Sequence, residues 1–362
     1  MATNAVYHHL LPQTYMKEWK PSTASSSSER IYVVKKGKKI VQGVKTSDIG
    51  GINHYHSIRA GMANATKEDC DQFFLPLKKY RIEINGEVVK DKLEWNKHFY
   101  HFFKCKGESP WIISKTVPNE NGKGHQWVDI GNSQKRRVHS EILKILVRKI
   151  EEDWSKQYEN SWRNIVQVIL KQINKAPLAL NKVPAVKRKE LITFAVSILW
   201  RTLPYPKELV MTLKGIEKAI SFDFPIPKKQ RMYPFLDSTK KELYHSYMLN
   251  QFRDFLKKKD DKGIIGKKAD LYCEKYGVSF KITTSEKPFI TTDNAIVENH
   301  LNLVFPITPL LLAVIEEVPN QSLYTIEHLT TNKVDFYNQL LFQNANDFCI
   351  VNSKDLSSYP MF

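Results

Sequence analysis

Strand-like segments lie at both ends of the sequence, and a long region with helical periodicity separates them. After residue 277, β-branched and aromatic residues dominate the segments 278–283, 289–292, 301–305, 311–315, 323–326 and 348–351. From about residue 133 to residue 260, apolar residues recur at the spacing of amphipathic helices. The pattern predicts an α+β protein whose sheet is built from N- and C-terminal strands around a central helical region.

We expect one α+β domain over residues 1–362, with a strand-rich part at 1–132, a helical part at 133–260 and a second strand-rich part at 277–362. No apolar run reaches about 18 residues, so no membrane span is predicted. The N-terminus lacks the pattern of a signal peptide. The four cysteines lie far apart without metal-binding spacing, which is typical of a cytoplasmic protein.

The formal charge of +17 is unevenly distributed. Residues 281–362 contain 4 Lys and Arg against 9 Asp and Glu, a net charge of −5, so residues 1–280 carry +22. Such an excess favours contact with nucleic acid, although it also keeps a protein soluble. Cations at a helix start oppose the helix dipole, so two such groups are candidate nucleic-acid-binding residues: Lys135, Arg136 and Arg137, and Lys187 and Arg188.

The strand-like run at 289–292 ends at Asp293 and Asn294. Both side chains bond readily to their own turn, so the pair ends the strand and directs a carboxylate and an amide outward. An ordinary turn is the alternative.

The N-terminal segment places His8 and His9 before Pro12 and Gln13. Proline suits the first turn of a helix, so the chain is expected to be extended before it and helical after it. Adjacent residues of an extended segment point to opposite faces, so at most one of the two histidines faces an interior site. A structural histidine is the alternative to a catalytic one.

Arg201 ends a helix whose preceding turns are almost entirely apolar. A guanidinium at such a position is expected to be buried, and it then needs an anionic partner. The partner is either a carboxylate of the fold or a phosphate of a ligand.

These residues belong to a series of short motifs, namely His8-His9-x-x-Pro12-Gln13-x-Tyr15, Arg201-Thr202-x-Pro204, Phe289 to Asn294, Phe305-Pro306-x-Thr308-Pro309, and Asn338 followed by Asn344-Ala345. With them the chain resembles the bacterial domain-of-unknown-function family 4238 over nearly its whole length. Ala295 stands where the family has proline, and Trp19 where it has phenylalanine. Members of that family occur among phage-defence genes, so the resemblance implies an anti-phage role without supplying a mechanism.

The favoured interpretation is an abortive-infection toxin that cleaves nucleic acid, RNA rather than DNA, without a metal. His9 would be the general acid or base, and Arg201 would stabilise the charge on phosphate. Gln13 and Asn294 would orient the phosphate, and Asp293 would fix the tautomer of the histidine or pair with Arg201. A divalent metal on the histidine and Asp293 is possible, but nuclease metal sites usually offer more than one carboxylate.

A second interpretation is a non-catalytic defence protein whose basic face binds nucleic acid, while the motif residues join the two ends of the chain. A nucleotide or small-signal sensor is disfavoured, because no Gly-rich phosphate loop is present.

A site shared by His9 and Asp293 requires the N-terminal segment and the end of the Asp293 strand to be neighbours. A homo-oligomer is possible.

Overall fold

The computed structural model describes residues 7–21, 30–103, 109–121, 123–175, 181–203, 207–219, 223–228, 231–257, 263–299, 302–318 and 321–362. Pro204 of the second motif lies outside the described residues. The contacts divide the chain into two compact units. The first unit comprises residues 1–55, 153–221 and 251–362, and the second comprises residues 56–152 and 222–250.

The strands are β1 (Tyr7–His9), β2 (Arg30–Lys35), β3 (Val41–Lys45), β4 (Gly51–Asn53), β5 (Tyr80–Ile84), β6 (Glu87–Val88), β7 (Trp111–Pro118), β8 (His125–Asp129), β9 (Lys182–Pro184), β10 (Tyr276–Ile282), β11 (Thr291–Thr292), β12 (Val297–Asn299), β13 (Asn302–Thr308), β14 (Leu311–Glu317), β15 (Leu323–His328) and β16 (Phe348–Val351).

The α-helices are α1 (Gln13–Met16), α2 (Lys67–Phe73), α3 (Lys92–His98), α4 (Asn132–Lys144), α5 (Lys149–Trp154), α6 (Asn160–Lys175), α7 (Arg188–Arg201), α8 (Lys207–Ala219), α9 (Thr239–Leu256), α10 (Gly263–Lys275) and α11 (Thr331–Asn344). A π-helical segment, Ser155–Glu159, separates α5 from α6. Among the described helices, none combines the length and the apolar character that a membrane span requires.

The described residues of the first unit form three sheets. A six-stranded sheet has the order β12-β13-β14-β10-β15-β9, in which only β10 and β15 pair in parallel. A four-stranded antiparallel sheet has the order β11-β16-β2-β3, and β1 pairs with β4. The four-stranded sheet joins N-terminal strands to C-terminal strands, so the predicted α+β fold with a shared sheet is confirmed.

Aromatic residues from distant parts of the sequence pack together in the first unit. The ring of Tyr15 stacks on Phe305 at 5.4 Å between centroids, and Trp162 stacks on Phe194 at 4.2 Å. The Tyr15 hydroxyl also lies 2.7 Å from the hydroxyl of Thr291. The expected proximity of the N-terminal segment to the Asp293 strand end is therefore confirmed.

The second unit is built around a four-stranded antiparallel sheet, β6-β5-β7-β8. Its core is aromatic, and the ring of Phe102 lies 4.9 Å from those of Trp111 and His139. The helical pattern at residue 133 continues in sequence to Ile150, but α4 ends at Lys144. Val147 exchanges backbone hydrogen bonds of 2.9 Å with Ile58, so the chain is extended between α4 and α5.

The predicted strand at 289–292 is shorter in the structure. Only Thr291 and Thr292 pair with β16. The amide of Phe289 donates to the carbonyl of Pro309, and that of Ile290 donates to the side chain of Asn338. These two bonds hold the chain in place without a sheet partner.

Candidate functional site

His9 and Gln13 form a network with the turn that follows β3. The His9 Nε2 atom lies 3.1 Å from the Thr46 carbonyl oxygen, and the Gln13 amide nitrogen lies 3.3 Å from His9 Nδ1. The Thr46 hydroxyl donates to the Gln13 side-chain oxygen over 3.4 Å. These contacts fit a neutral imidazole that carries its proton on Nε2, because Nε2 then donates to a carbonyl and Nδ1 accepts from an amide. The fold thus fixes the orientation and the tautomer of His9.

Arg201 is buried at the end of α7, with 1% of its surface exposed. Its Nη2 atom donates to the His9 carbonyl oxygen over 2.5 Å, and its Nη1 atom lies 3.7 Å from the Glu159 carboxylate. The guanidinium carbon lies 4.4 Å from the centre of the Trp154 ring. Of the two anionic partners that the sequence leaves open, the structure supplies the carboxylate of the fold.

Asn294 joins the end of α7 to the end of α11. Its side-chain oxygen accepts from the Thr202 hydroxyl over 3.0 Å, and its amide donates to the Asn344 carbonyl over 3.3 Å. The Asn344 amide donates in return to the carbonyls of Asn294 and Ile296, at 2.8 and 2.9 Å. The Asn294 side chain thus bonds to the backbone at the end of α11, and the Asn344 side chain bonds to the backbone after β11. These reciprocal bonds hold the two segments in register.

Asp293 accepts hydrogen bonds from the chain just before β16. Its two carboxylate oxygens accept from the backbone amides of Asn346 and Asp347, at 2.9 and 2.7 Å. Burial raises the pKa of Asp293 above its ordinary value, and the charge of Asp347 adds to that rise, while the two amides oppose it. The partners of this carboxylate in the structure are backbone amides, whereas the sequence pointed to His9 or Arg201.

We call the residues His9, Gln13, Arg201, Asn294 and Asn344 the junction. They lie on β1, α1, the C-terminal end of α7, the turn after β11, and the last position of α11. Their side chains bond mainly to backbone groups of neighbouring segments. The junction therefore connects the N-terminal, central and C-terminal parts of the first unit.

A cleft of about 800 Å³ lies beside the junction in the same unit. Two of its residues are adjacent in sequence to junction residues, since Leu10 follows His9 and Asp293 precedes Asn294. The cleft is lined by Tyr7, Leu10, Val33, Lys35, Gln42, Val44, Asp48, Ile49, Gly50, Gly51, Ile52, Leu203, Asp293, Asn346, Asp347 and Phe348. Gly51 is required at this place, because a Cβ atom there would lie 2.4 Å from the His8 carbonyl oxygen across the β1-β4 pair.

The predicted nucleic-acid-binding residues differ in exposure. On α4 of the second unit, Arg136 and Arg137 are exposed, whereas the Lys135 ammonium is half-buried and donates to the Trp111 carbonyl over 2.5 Å. Burial lowers the pKa of Lys135.

The remaining two predicted residues lie at the start of α7 in the first unit. Lys187 pairs with Glu190 at 2.8 Å. Arg188 donates to the carbonyls of Cys273 and Tyr276, where it caps the C-terminal end of α10. The geometry thus leaves Arg136 and Arg137 as the two most open of the five predicted cations.

A family model described as protein of unknown function (DUF4238) matches residues 7–355. The chain belongs to this family. The DUF4238 match covers the junction, the cleft, the whole second unit and most of the first. Comparison with curated proteins and with solved structures found no match.

Three residues that matter to this DUF4238 site carry little signal in the sequence. Glu159 lies in the π-helical segment, 42 positions before Arg201, and Thr46 lies in a short 3₁₀ turn. Asp347 follows Asn346 in a polar stretch that resembles any surface turn. The one sequence signal is the predicted burial of Arg201 at the end of an apolar helix, which indicates that it needs an acidic partner such as Glu159.

Proposed function

We propose that this family member is an anti-phage defence protein that binds nucleic acid, RNA in particular, and that its motif residues brace the fold instead of cleaving a phosphodiester bond. One observation carries the proposal. The guanidinium of Arg201, the group best suited to a phosphate, is 1% exposed and is held by His9, Glu159 and Trp154. A phosphate could reach it only if the junction opened.

The other motif side chains support the same conclusion. Both ring nitrogens of His9 contact groups of the fold, and the Asn294 amide bonds to Thr202 and Asn344. A general base needs a free nitrogen within reach of the substrate, although such geometry can tighten on binding. The defence role itself rests on the family resemblance, and the nucleic-acid role rests on the charge of +17.

The experiment measures the affinity of the purified protein for a fluorescent single-stranded RNA over a series of salt concentrations. Each neutralised phosphate releases counterions, so the affinity should fall steeply with salt. Arg136→Glu and Arg137→Glu should each reduce the logarithmic salt slope by about 0.7 for every phosphate that the arginine neutralises in the wild-type complex. Lys333→Glu is the matched control, because Lys333 is an equally exposed cation in the acidic C-terminal region and already pairs with Glu327.

Two results would overturn the proposal. Salt-insensitive binding would leave the positive charge as a solubility feature. Cleavage of the RNA by the wild-type protein, abolished in a His9→Ala variant whose melting temperature is unchanged, would favour the nuclease instead. A plaque assay with the same variants connects either result to defence.

A further inference from the structure

The cleft has the size and the walls of a small-molecule site. Its volume of about 800 Å³ falls within the range of about 300–1,000 Å³ that is typical of ligand pockets. Val33 and Lys35 of β2 line it together with Gln42 and Val44 of β3, and Val33 pairs directly with Gln42. Side chains at alternate positions share one face of a sheet, so these four residues form a continuous floor. The surrounding walls are largely apolar, with Leu10, Ile49, Ile52, Leu203 and Phe348.

The charged groups of the cleft have a clear imbalance. Among the described residues that line it, Asp48, Asp293 and Asp347 provide three carboxylates, and Lys35 provides one ammonium. Asp48 and Asp347 are exposed, and Asp48 lies close enough to Tyr7 for its charge to raise the pKa of that phenol, after the larger effect of burial. The protein as a whole carries +17, so this acidic cleft is opposite in sign to the molecule around it.

We infer that the cleft binds an organic cation, a molecule with an apolar body and an amine- or guanidinium-type group. The largely apolar walls, together with Val33 and Val44 of the floor, favour the body of such a ligand by removing it from water. The carboxylates attract its charged group, and Tyr7 adds an aromatic side chain to the lining of the cleft. A polyphosphate or a nucleic-acid backbone would meet three like charges, so this site is separate from the proposed binding of RNA.

The test uses two fluorescent probes of opposite charge, thioflavin T as the apolar cation and 8-anilinonaphthalene-1-sulfonate as the apolar anion. Both are titrated into the full-length protein at one ionic strength. Thioflavin T should bind more tightly, and Asp48→Asn and Asp347→Asn should each weaken it about two- to fivefold, as expected for an exposed charge pair. Gln42→Lys adds a cation to the floor at an exposed position, so it should weaken thioflavin T and strengthen the anionic probe.

The matched control is Glu317→Gln, which removes an exposed carboxylate outside the cleft and should change neither affinity. Thermal unfolding of each variant verifies that the fold is intact. Tighter binding of the anionic probe, or a thioflavin T affinity that none of the cleft variants changes, would overturn the inference. Displacement of thioflavin T by equimolar Mg²⁺ would assign the carboxylates to an inorganic cation and would overturn it as well. None of these outcomes depends on whether the protein binds RNA.

Discussion

The junction and the cleft are neighbours in the first unit, yet they use polar side chains in opposite ways. In the junction, Arg201 is buried and Asn294 is half-buried, and both side chains bond to the fold. In the cleft, the carboxylates of Asp48 and Asp347 are exposed beside apolar walls. A polar residue in a motif can therefore mark a buried hydrogen-bond network, while groups that can meet a ligand lie next to the motif.

The largest expected effect belongs to Arg201→Ala. The substitution removes the ion pair with Glu159 and the hydrogen bond to the His9 carbonyl, and breaking a buried pair costs about 3–5 kcal/mol. The free energy of unfolding, measured by urea denaturation, should fall by that amount. The decrease in RNA affinity should be no larger than the unfolded fraction explains.

Arg137→Ala is the matched control for this measurement. Arg137 is an exposed arginine that contacts Glu141 at 3.7 Å one helical turn away, so its removal should change stability little. An Arg201→Ala protein that unfolds like the wild type but no longer protects against phage would break the comparison, because Arg201 would then act on a ligand.

The second prediction concerns Asn344→Ala. Its amide donates to two backbone carbonyls, those of Asn294 and Ile296, and a buried acceptor left unsatisfied costs about 1–3 kcal/mol. The unfolding free energy should fall by an amount in that range. Gln343→Ala removes a neighbouring exposed amide and should have almost no effect. Equal destabilisation in both variants would mean that the end of α11, and not the amide contacts, determines stability.

The burial of Arg201 follows from the sequence alone, because the helix before it is apolar on nearly every face. The sequence also predicts the shared sheet, since strand-like runs at both ends of the chain need partners. It does not predict which groups an individual side chain bonds to. Asp293 bonds to amides 53 and 54 positions away, and local propensity contains no information about such contacts.

The sequence pattern did not predict helix α10. This helix begins Gly-Ile-Ile-Gly, and glycine weakens the helical pattern, which tertiary packing then restores.

The cleft was beyond sequence reasoning for a similar reason. Its lining residues come from six separate stretches of the chain, and Gln42, Val44 and Asp48 look like ordinary residues of a hairpin and turn. The pairing of β2 with β3 and β16 brings the lining residues of these strands together. Predicting the cleft would therefore have required knowing the register of the sheet.

The third prediction uses the pH dependence of stability. The pKa of Asp293 is raised in the folded protein, mainly by burial, so the folded state holds this proton more tightly than the unfolded state. The contribution of Asp293 is therefore fully present below about pH 4, the ordinary value, and is lost as the pH rises through the raised pKa. Asp293→Asn should flatten the decline of unfolding free energy over that window. Parallel profiles for the wild type and the variant would contradict the raised pKa.

The smallest expected effect on stability is that of Asp347→Asn, and it tests whether the cleft is distinct from the junction. The backbone amide of Asp347 donates to Asp293, and the substitution retains this bond. The side chain is exposed, and its charge repels Asp293, so neutralising it should leave the urea midpoint at neutral pH unchanged or slightly raised. The same variant should bind thioflavin T more weakly. If Asp347→Asn instead destabilised the protein as much as Asn344→Ala, the Asp347 side chain would be part of the structural network, and the distinction between a bracing junction and an open cleft would fail.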